Sequence, residues 1–217
     1  MELLEVMQQR HSVRQYTDQP IEQEKRDILN EMAAQINCET GFRIQIIHDE
    51  PACFNSFMAH YGKFTGVRSY IALVGKKSAE LDDRMGYYGE KLVLKAQELG
   101  LNTCWVALTH GKSRAVIEKG EKLVCLIALG YGATQGVSHK DKPLSELCSP
   151  SENAPEWFLK GMEAALLAPT AMNQQKFFFE LQPDGEVKAR CGSGFYTKLD
   201  LGIVKYHFEA VTGKEIV

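Results

Sequence analysis

Arg10, His11, Ser12, Val13 and Arg14 stand in a row near the start of the chain. In an extended segment side chains alternate between faces, so Arg10, Ser12 and Arg14 would share one side while His11 and Val13 share the other. Two guanidiniums and a hydroxyl brought together suit a phosphate, because each guanidinium offers a planar fork of donors and the hydroxyl adds one more hydrogen bond. A solvated basic turn is the plainer use of the same residues. A second stretch, APTAMNQQ from Ala168 to Gln175, offers different chemistry. Pro169 forces a turn, and the small Thr170 and Ala171 would leave main-chain amides and carbonyls open to a flat ligand. Asn173 can donate and accept at once, as recognition of a heterocyclic amide edge requires. An ordinary helix stop followed by a polar loop accounts for this stretch as well.

The elements that must position these residues follow from periodicity. Residues 2–9 read as a short helix that ends where the basic segment begins, and residues 22–36 as a second, with Ile28, Leu29, Met32 and Ile36 at helical spacing. Phe42, Ile44 and Ile46 alternate with polar residues as in a strand, and 69–74 is continuously apolar, the pattern of a strand buried on both faces. The longest helical signal spans 78–99, with Met85, Tyr88, Leu92, Ala96 and Leu99 in one stripe. Gly86 and Gly89 lower its helix propensity and imply close approach by a neighbouring backbone or ligand. Strands are expected at 103–108 and 123–129, then a polar connector from Gly130 to Pro155. A helix at 156–168, two strands joined at Pro183–Asp184–Gly185, and a last helix at 196–211 complete the chain. Gly130, Gly132 and Gly136 imitate a dinucleotide-binding loop, but no helix signal follows them, so they read as a flexible loop. Helices alternate with strands and hairpins, which points to an α+β fold.

Composition narrows the field. The chain has 217 residues, 44% hydrophobic and 24% charged, enough for a full core and ordinary for a globular protein. A net charge of −3 gives no global pull toward nucleic acid or an anionic membrane. No apolar run resembles a signal peptide or a membrane span, so the expected location is the cytoplasm. The six cysteines and six histidines are scattered without ligand spacing, which leaves reduced thiols and no metal as the expectation.

Together, RHSVR followed by an aromatic and a P-I step, APTAMNQ after a helix, and GEKLVLKAQELGLNTCW resemble signatures of the nitroreductase family of flavin-dependent oxidoreductases. The resemblance covers most of the chain. It implies a three-layer α/β/α sandwich with a mixed, mainly antiparallel sheet, bound FMN, and reduction of nitroaromatics, quinones or related flat acceptors by NADH or NADPH in a ping-pong sequence. By resemblance Arg10, His11 and Ser12 hold the FMN phosphate and ribityl chain, and Arg14 stands near the pyrimidine edge. A cation there favours the negative charge that reduction places on the ring. Pro169, Thr170, Ala171 and Asn173 pack on and bond the isoalloxazine, while amides around Val106, Ala107 and Leu108 approach N5, where hydride arrives. No acid or base side chain is required. Tyr61, Phe64 or Tyr87 would select flat substrates, although a core or rim place is the plainer use of each. A non-catalytic FMN-binding or sensing protein derived from this fold is the alternative.

The order of the motifs departs from the family. The APSAxN-like stretch normally lies one helix after RRSxR, where this chain has AAQINCETGFRI; here it comes at Ala168, and LDLG further on resembles the DxG opening of the central helix. Residues 1–148 would then be one nitroreductase-like copy and 149–217 a truncated second copy, a fused pseudo-dimer with one flavin per chain, monomeric or further paired. The family's basic pair falls on His139 and Asp141, leaving Lys140 or Lys142 as phosphate partners. Val106 and Ala107 replace glycines, and the aromatic after the asparagine motif is displaced to Lys176 and Phe177.

Overall fold

The computed structural model describes residues 2–217. Its contacts separate into two compact units that interleave along the chain. One comprises Arg10–Leu81 and Leu92–Val137; the other comprises the residues up to Gln9, Asp82–Lys91 and Ser138–Val217. These units describe packing, whereas the expected 1–148 and 149–217 halves describe copies along the sequence; they are different divisions.

In the first unit a four-stranded antiparallel sheet has the order β1-β2-β4-β3, formed by β1 (Arg43–Ile47), β2 (Ser69–Lys76), β3 (Asn102–Val106) and β4 (Glu121–Gly130). The apolar run of β2 has its cause in burial: Tyr70, Ile71, Ala72, Leu73 and Val74 are all fully buried. Helix α2 (Gln23–Thr40) packs on β1 through Leu29, Ala33 and Ile36. Gly41 ends it in the left-handed region at φ 72°, its N–H donating to the Asn37 carbonyl. The Asn37 side chain then accepts from the Ile44 N–H at 2.7 Å and donates to the Ile44 carbonyl at 2.8 Å, fixing the helix to the strand that follows. Between β1 and β2 lie a 3₁₀ turn at Pro51–Phe54 and the short α3 (Phe57–Tyr61), capped by the Ser56 side chain. Neither shows a sequence period, being too short to carry one.

In the second unit β5 (Cys148–Ser149) runs parallel to β6 (Phe177–Leu181), which pairs antiparallel with β7 (Val187–Cys191) through the expected turn at Gly185. Helices α5 (Glu156–Leu166) and α6 (Thr197–Thr212) form the core with β6, where Phe208 lies 5.7 Å from Phe158 and 5.0 Å from Phe179 between ring centroids. Helix α4 (Leu81–Glu98) contributes Asp82–Lys91 to this unit, and α1 (Leu3–Gln9) also packs on α6. The glycine expectation holds at Gly86: a Cβ there would come within 2.0 Å of the Leu199 carbonyl oxygen. Below this crossing, the fully buried His207 donates from Nδ1 to the Ala164 carbonyl at 2.9 Å, and its Nε2 lies 3.0 Å from Glu90 Oε1. The class is α+β as expected, with mainly antiparallel pairing. The strand expected over 103–108 stops at Val106, and Ala107 and Leu108 belong to a bend. Among the described residues no helix is long and apolar enough to cross a membrane.

Candidate functional site

Residues 10–16 run along the edge of β3. The Val13 N–H donates to the Thr103 carbonyl at 3.0 Å, and Ser12 pairs in parallel with Thr103. The Tyr16 N–H and Thr65 N–H then bond Thr65 O and Arg14 O in turn, at 2.9 and 3.0 Å, which holds the segment extended. Val13 enters the core at 1% exposure, and Arg10 is also buried at 3% while Arg14 is exposed. One neighbouring thiol registers all three polar residues of the stretch. Burial pushes Cys104 above the usual thiol range, and the charge of Arg14, a hydrogen bond with Ser12 and the charge of Arg10 act the other way. Arg10, Ser12 and Arg14 thus all lie near enough to Cys104 to act on its thiol, yet burial sets Arg10 apart from Arg14, where the alternation of an extended segment predicts one shared face. Cys104 itself carried no sequence signal beyond its place in the CW strand.

The glycines after β4 belong to this wall, and the expectation of a flexible loop is corrected. The Gly132 N–H donates to Asn102 Oδ1 at 2.9 Å, Thr17 N–H to Tyr131 O at 2.8 Å and Ala133 N–H to Gln15 O at 2.8 Å. A Cβ on Gly136 would come within 2.7 Å of His11 Cβ and 3.1 Å of Ser12 O, and its φ is +73°. These glycines let the loop lie closely over residues 11–16. His11 is half-buried beneath it. At the end of β3, Val106 is buried while Leu108 is 68% exposed. Of the aromatics expected to select substrates, Phe64 is a core residue against Phe54 with centroids 5.4 Å apart, and Tyr61 is exposed. Tyr87, in the other unit, is half-buried and donates to Glu209 Oε2 at 2.7 Å. Phe64 and Tyr87 thus have structural partners.

In the second unit, Pro169, Thr170, Ala171 and Asn173 form a turn tied down on all sides. A 3₁₀ turn spans Ala171–Asn173, with Met172 and Asn173 at φ 52° and 54°, a region costly for residues other than glycine. Asp200, in the first turns of α6, accepts the Ala171 N–H on Oδ1 at 2.9 Å and Gln174 Nε2 on Oδ2 at 2.7 Å. Gln175, only 3% exposed, takes the Lys142 N–H on Oε1 and gives its own amide hydrogens to Lys140 O and Asn173 Oδ1, each at 2.8 Å except the first at 2.9 Å. Asn173 Nδ2 also donates to Lys140 O at 2.8 Å. The amides of Ala171, Asn173, Gln174 and Gln175 all have internal acceptors, so the expected opening of these N–H groups toward a ligand is corrected. Asn173 keeps one amide hydrogen, and Met172 stands 91% exposed beside it. Lys140 presents an exposed side chain, whereas His139 Nε2 is taken up by Leu166 O at 2.9 Å and Asp141 Oδ1 at 3.2 Å. Gln175 and Asp200 were given no role from sequence; the end of the APTAMNQQ stretch and the DxG likeness of LDLG are their only traces.

Burial raises the Asp200 carboxyl to about 6, against the pull of the Ala171 N–H and the Gln174 amide. A folded-state value above the unfolded one means the folded protein binds this proton more tightly. The associated stability is full in acid, below the unfolded value, and is lost as pH rises through about 6. Asp200→Asn removes this titration. Urea midpoints taken from pH 8 to pH 4 are expected to show the wild type gaining roughly 2–3 kcal/mol on the variant; parallel profiles would refute the assignment.

The fold is that of an α+β protein whose extended basic stretch lies along the edge of its antiparallel sheet. A family model described as "Putative TM nitroreductase" matches residues 2–212, and the chain belongs to the nitroreductase family. A solved structure from Thermotoga maritima carrying the name nitroreductase superposes with a TM-score of 0.73 at 22% identity, covering 99% of this chain and 87% of that one. A Desulfovibrio desulfuricans structure of the same name, in complex with FMN, gives 0.53 at 21% identity over 67% of this chain and 94% of its own. A third, from Bacteroides thetaiotaomicron and named NADH dehydrogenase/NAD(P)H nitroreductase, gives 0.52 at 19% identity over 67% and 95%. No curated protein sequence matches the chain.

Proposed function

We propose that the protein is an FMN-dependent oxidoreductase that uses NADH or NADPH to reduce nitroaromatics, quinones or related flat acceptors, in a ping-pong sequence. The observation that carries this reading is the nitroreductase-family match over residues 2–212; Arg10, Ser12 and Arg14, all near enough to Cys104 to act on its thiol, supply phosphate-type donors within it. Bound FMN would supply the two-electron chemistry, taking hydride from the nicotinamide and passing it to the acceptor. The chain's own residues bind and orient. Arg10, His11 and Ser12 would hold the phosphate and ribityl chain, with Lys140 as a further cation. Arg14 favours negative charge on the ring, and the Pro169–Asn173 turn and the Val106–Leu108 bend would meet the ring itself.

The same reading makes the chain a pseudo-dimer with one flavin. Its support is that relatives matched over 94–95% of their own length cover only 67% of this chain. The test is uptake of FMN by the purified protein, its stoichiometry, and turnover of NADH and NADPH with a nitroaromatic or a quinone. One FMN per polypeptide with steady nicotinamide oxidation is expected. Two FMN per chain would sink the pseudo-dimer. Tight FMN without reduction by either nucleotide would favour the non-catalytic binding protein, the reading to which the His139–Asp141 contact in place of the family's basic pair lends weight.

A further inference from the structure

We infer that Asp200 is the positioning residue of the flavin site: from α6 its carboxylate clamps the Ala171–Gln174 turn in the one conformation that meets the isoalloxazine. The inference rests on the FMN reading above and extends it to a side chain that need not touch the cofactor.

The turn is not self-sustaining. Met172, Asn173 and Gln175 all have positive φ, at 52°, 54° and 43°. Such residues persist only where the surroundings over-determine them. The surroundings here are two buried polar side chains. Gln175 fixes the end of the turn to Lys140 and Lys142, and its own N–H donates to Thr170 Oγ1 at 3.1 Å. Asp200 fixes the start. It supplies the acceptor for the Ala171 N–H, and through Gln174, whose Nε2 also reaches Phe195 O at 3.0 Å, it joins the turn to the residues before α6. Asp200 is 5% exposed and, among the described residues, no cationic side chain bonds it. An unpaired buried carboxylate costs stability, and an apolar residue would fill the place at lower cost. Its two acceptors facing two donors on one turn are what that cost maintains.

The substitutions Asp200→Asn and Asp200→Ala separate the contacts. Asparagine keeps an acceptor for the Ala171 N–H but sets its own N–H₂ against Gln174; alanine removes both. FMN titrated into the apo-protein, followed by quenching of flavin fluorescence, is expected to show affinity weakened tenfold or more in the alanine variant and by less in the asparagine variant. The absorption bands of the remaining bound flavin should shift toward those of free FMN, a change that general loosening of the fold would not produce. Hydrogen exchange without flavin is expected to accelerate at the Ala171–Gln175 amides while α5 and β6 stay protected. Variants with wild-type FMN affinity and bands, or with an unchanged Ala171 amide, would overturn the inference. A wild-type chain that takes up no FMN would overturn the reading of the site and this inference with it. Should the alanine variant not fold, the asparagine variant carries the same decision.

Discussion

Arg10→Met is expected to weaken FMN binding about 10- to 100-fold, the loss that follows when charge-assisted hydrogen bonds worth roughly 1.5–3 kcal/mol are removed. Methionine keeps much of the volume of a side chain that is 3% exposed, so the core around it stays filled. Arg10→Lys keeps the charge but not the planar fork and should fall between the two. Arg14, exposed on the same stretch, is given a different part. On the proposed function Arg14→Ala should slow reduction of bound flavin by the nicotinamide more than it weakens FMN binding, because its charge would act on the ring as negative charge develops. Fluorescence titration gives the affinities and stopped-flow absorbance the reduction rates. Were Arg14→Ala to abolish binding while reduction of the residual flavin kept its rate, the two roles would be reversed.

The legible parts of this chain were those with a long period or a rigid residue. Helix α4 showed its stripe, and Met85, Leu92 and Ala96 are buried as that stripe required. Gly86 announced a close approach that α6 makes. The Asp184–Gly185 turn and its hairpin were plain. What could not be read was the work of single polar groups acting across long separations. Nothing near Gln175 in the sequence says that its amide bonds residues 140 and 142, and nothing in LDLG says that Asp200 faces a backbone N–H at 171. The glycines at 130–136 misled for a related reason: glycine serves both mobility and close packing, and only the neighbours, here His11 and Ser12, distinguish the two. In the basic stretch, alternation alone put Arg10 and Arg14 on one face; the burial that separates them depends on β3 lying alongside.

Gly202→Ala is expected to be the most destabilising single methyl in the second unit. A Cβ at Gly202 would stand 1.8 Å from the Asp83 carbonyl oxygen and 2.8 Å from Tyr87 N, both backbone atoms of α4. Backbone cannot rotate aside as a side chain can, so the helices must separate to admit the methyl group. Gly161 is the internal contrast, since the atoms nearest its added Cβ are side-chain ones, the Phe208 ring at 2.4 Å and Thr212 Cγ2 at 2.6 Å. Separation at Gly202 would stretch three bonds that bridge the same helices: Lys205 to Asp83 at 2.9 Å, Tyr87 to Glu209 at 2.7 Å, and the buried His207 with Glu90 at 3.0 Å. Overpacking costs roughly 1–3 kcal/mol and leaving a buried hydrogen-bonding group unsatisfied roughly 1–3, against about 1 kcal/mol gained in helix propensity. A net loss of about 1–5 kcal/mol follows, which for a chain of this size lowers the melting temperature by several degrees or more. Gly161→Ala should lose less than half as much. Asp200 lies two residues before Gly202, so strain there also reaches the carboxylate that holds Ala171, and the surviving folded fraction should exchange that amide faster than wild type does. Urea midpoints for the two alanine variants that coincide with wild type would show that the α4–α6 crossing is not as close as the structure makes it.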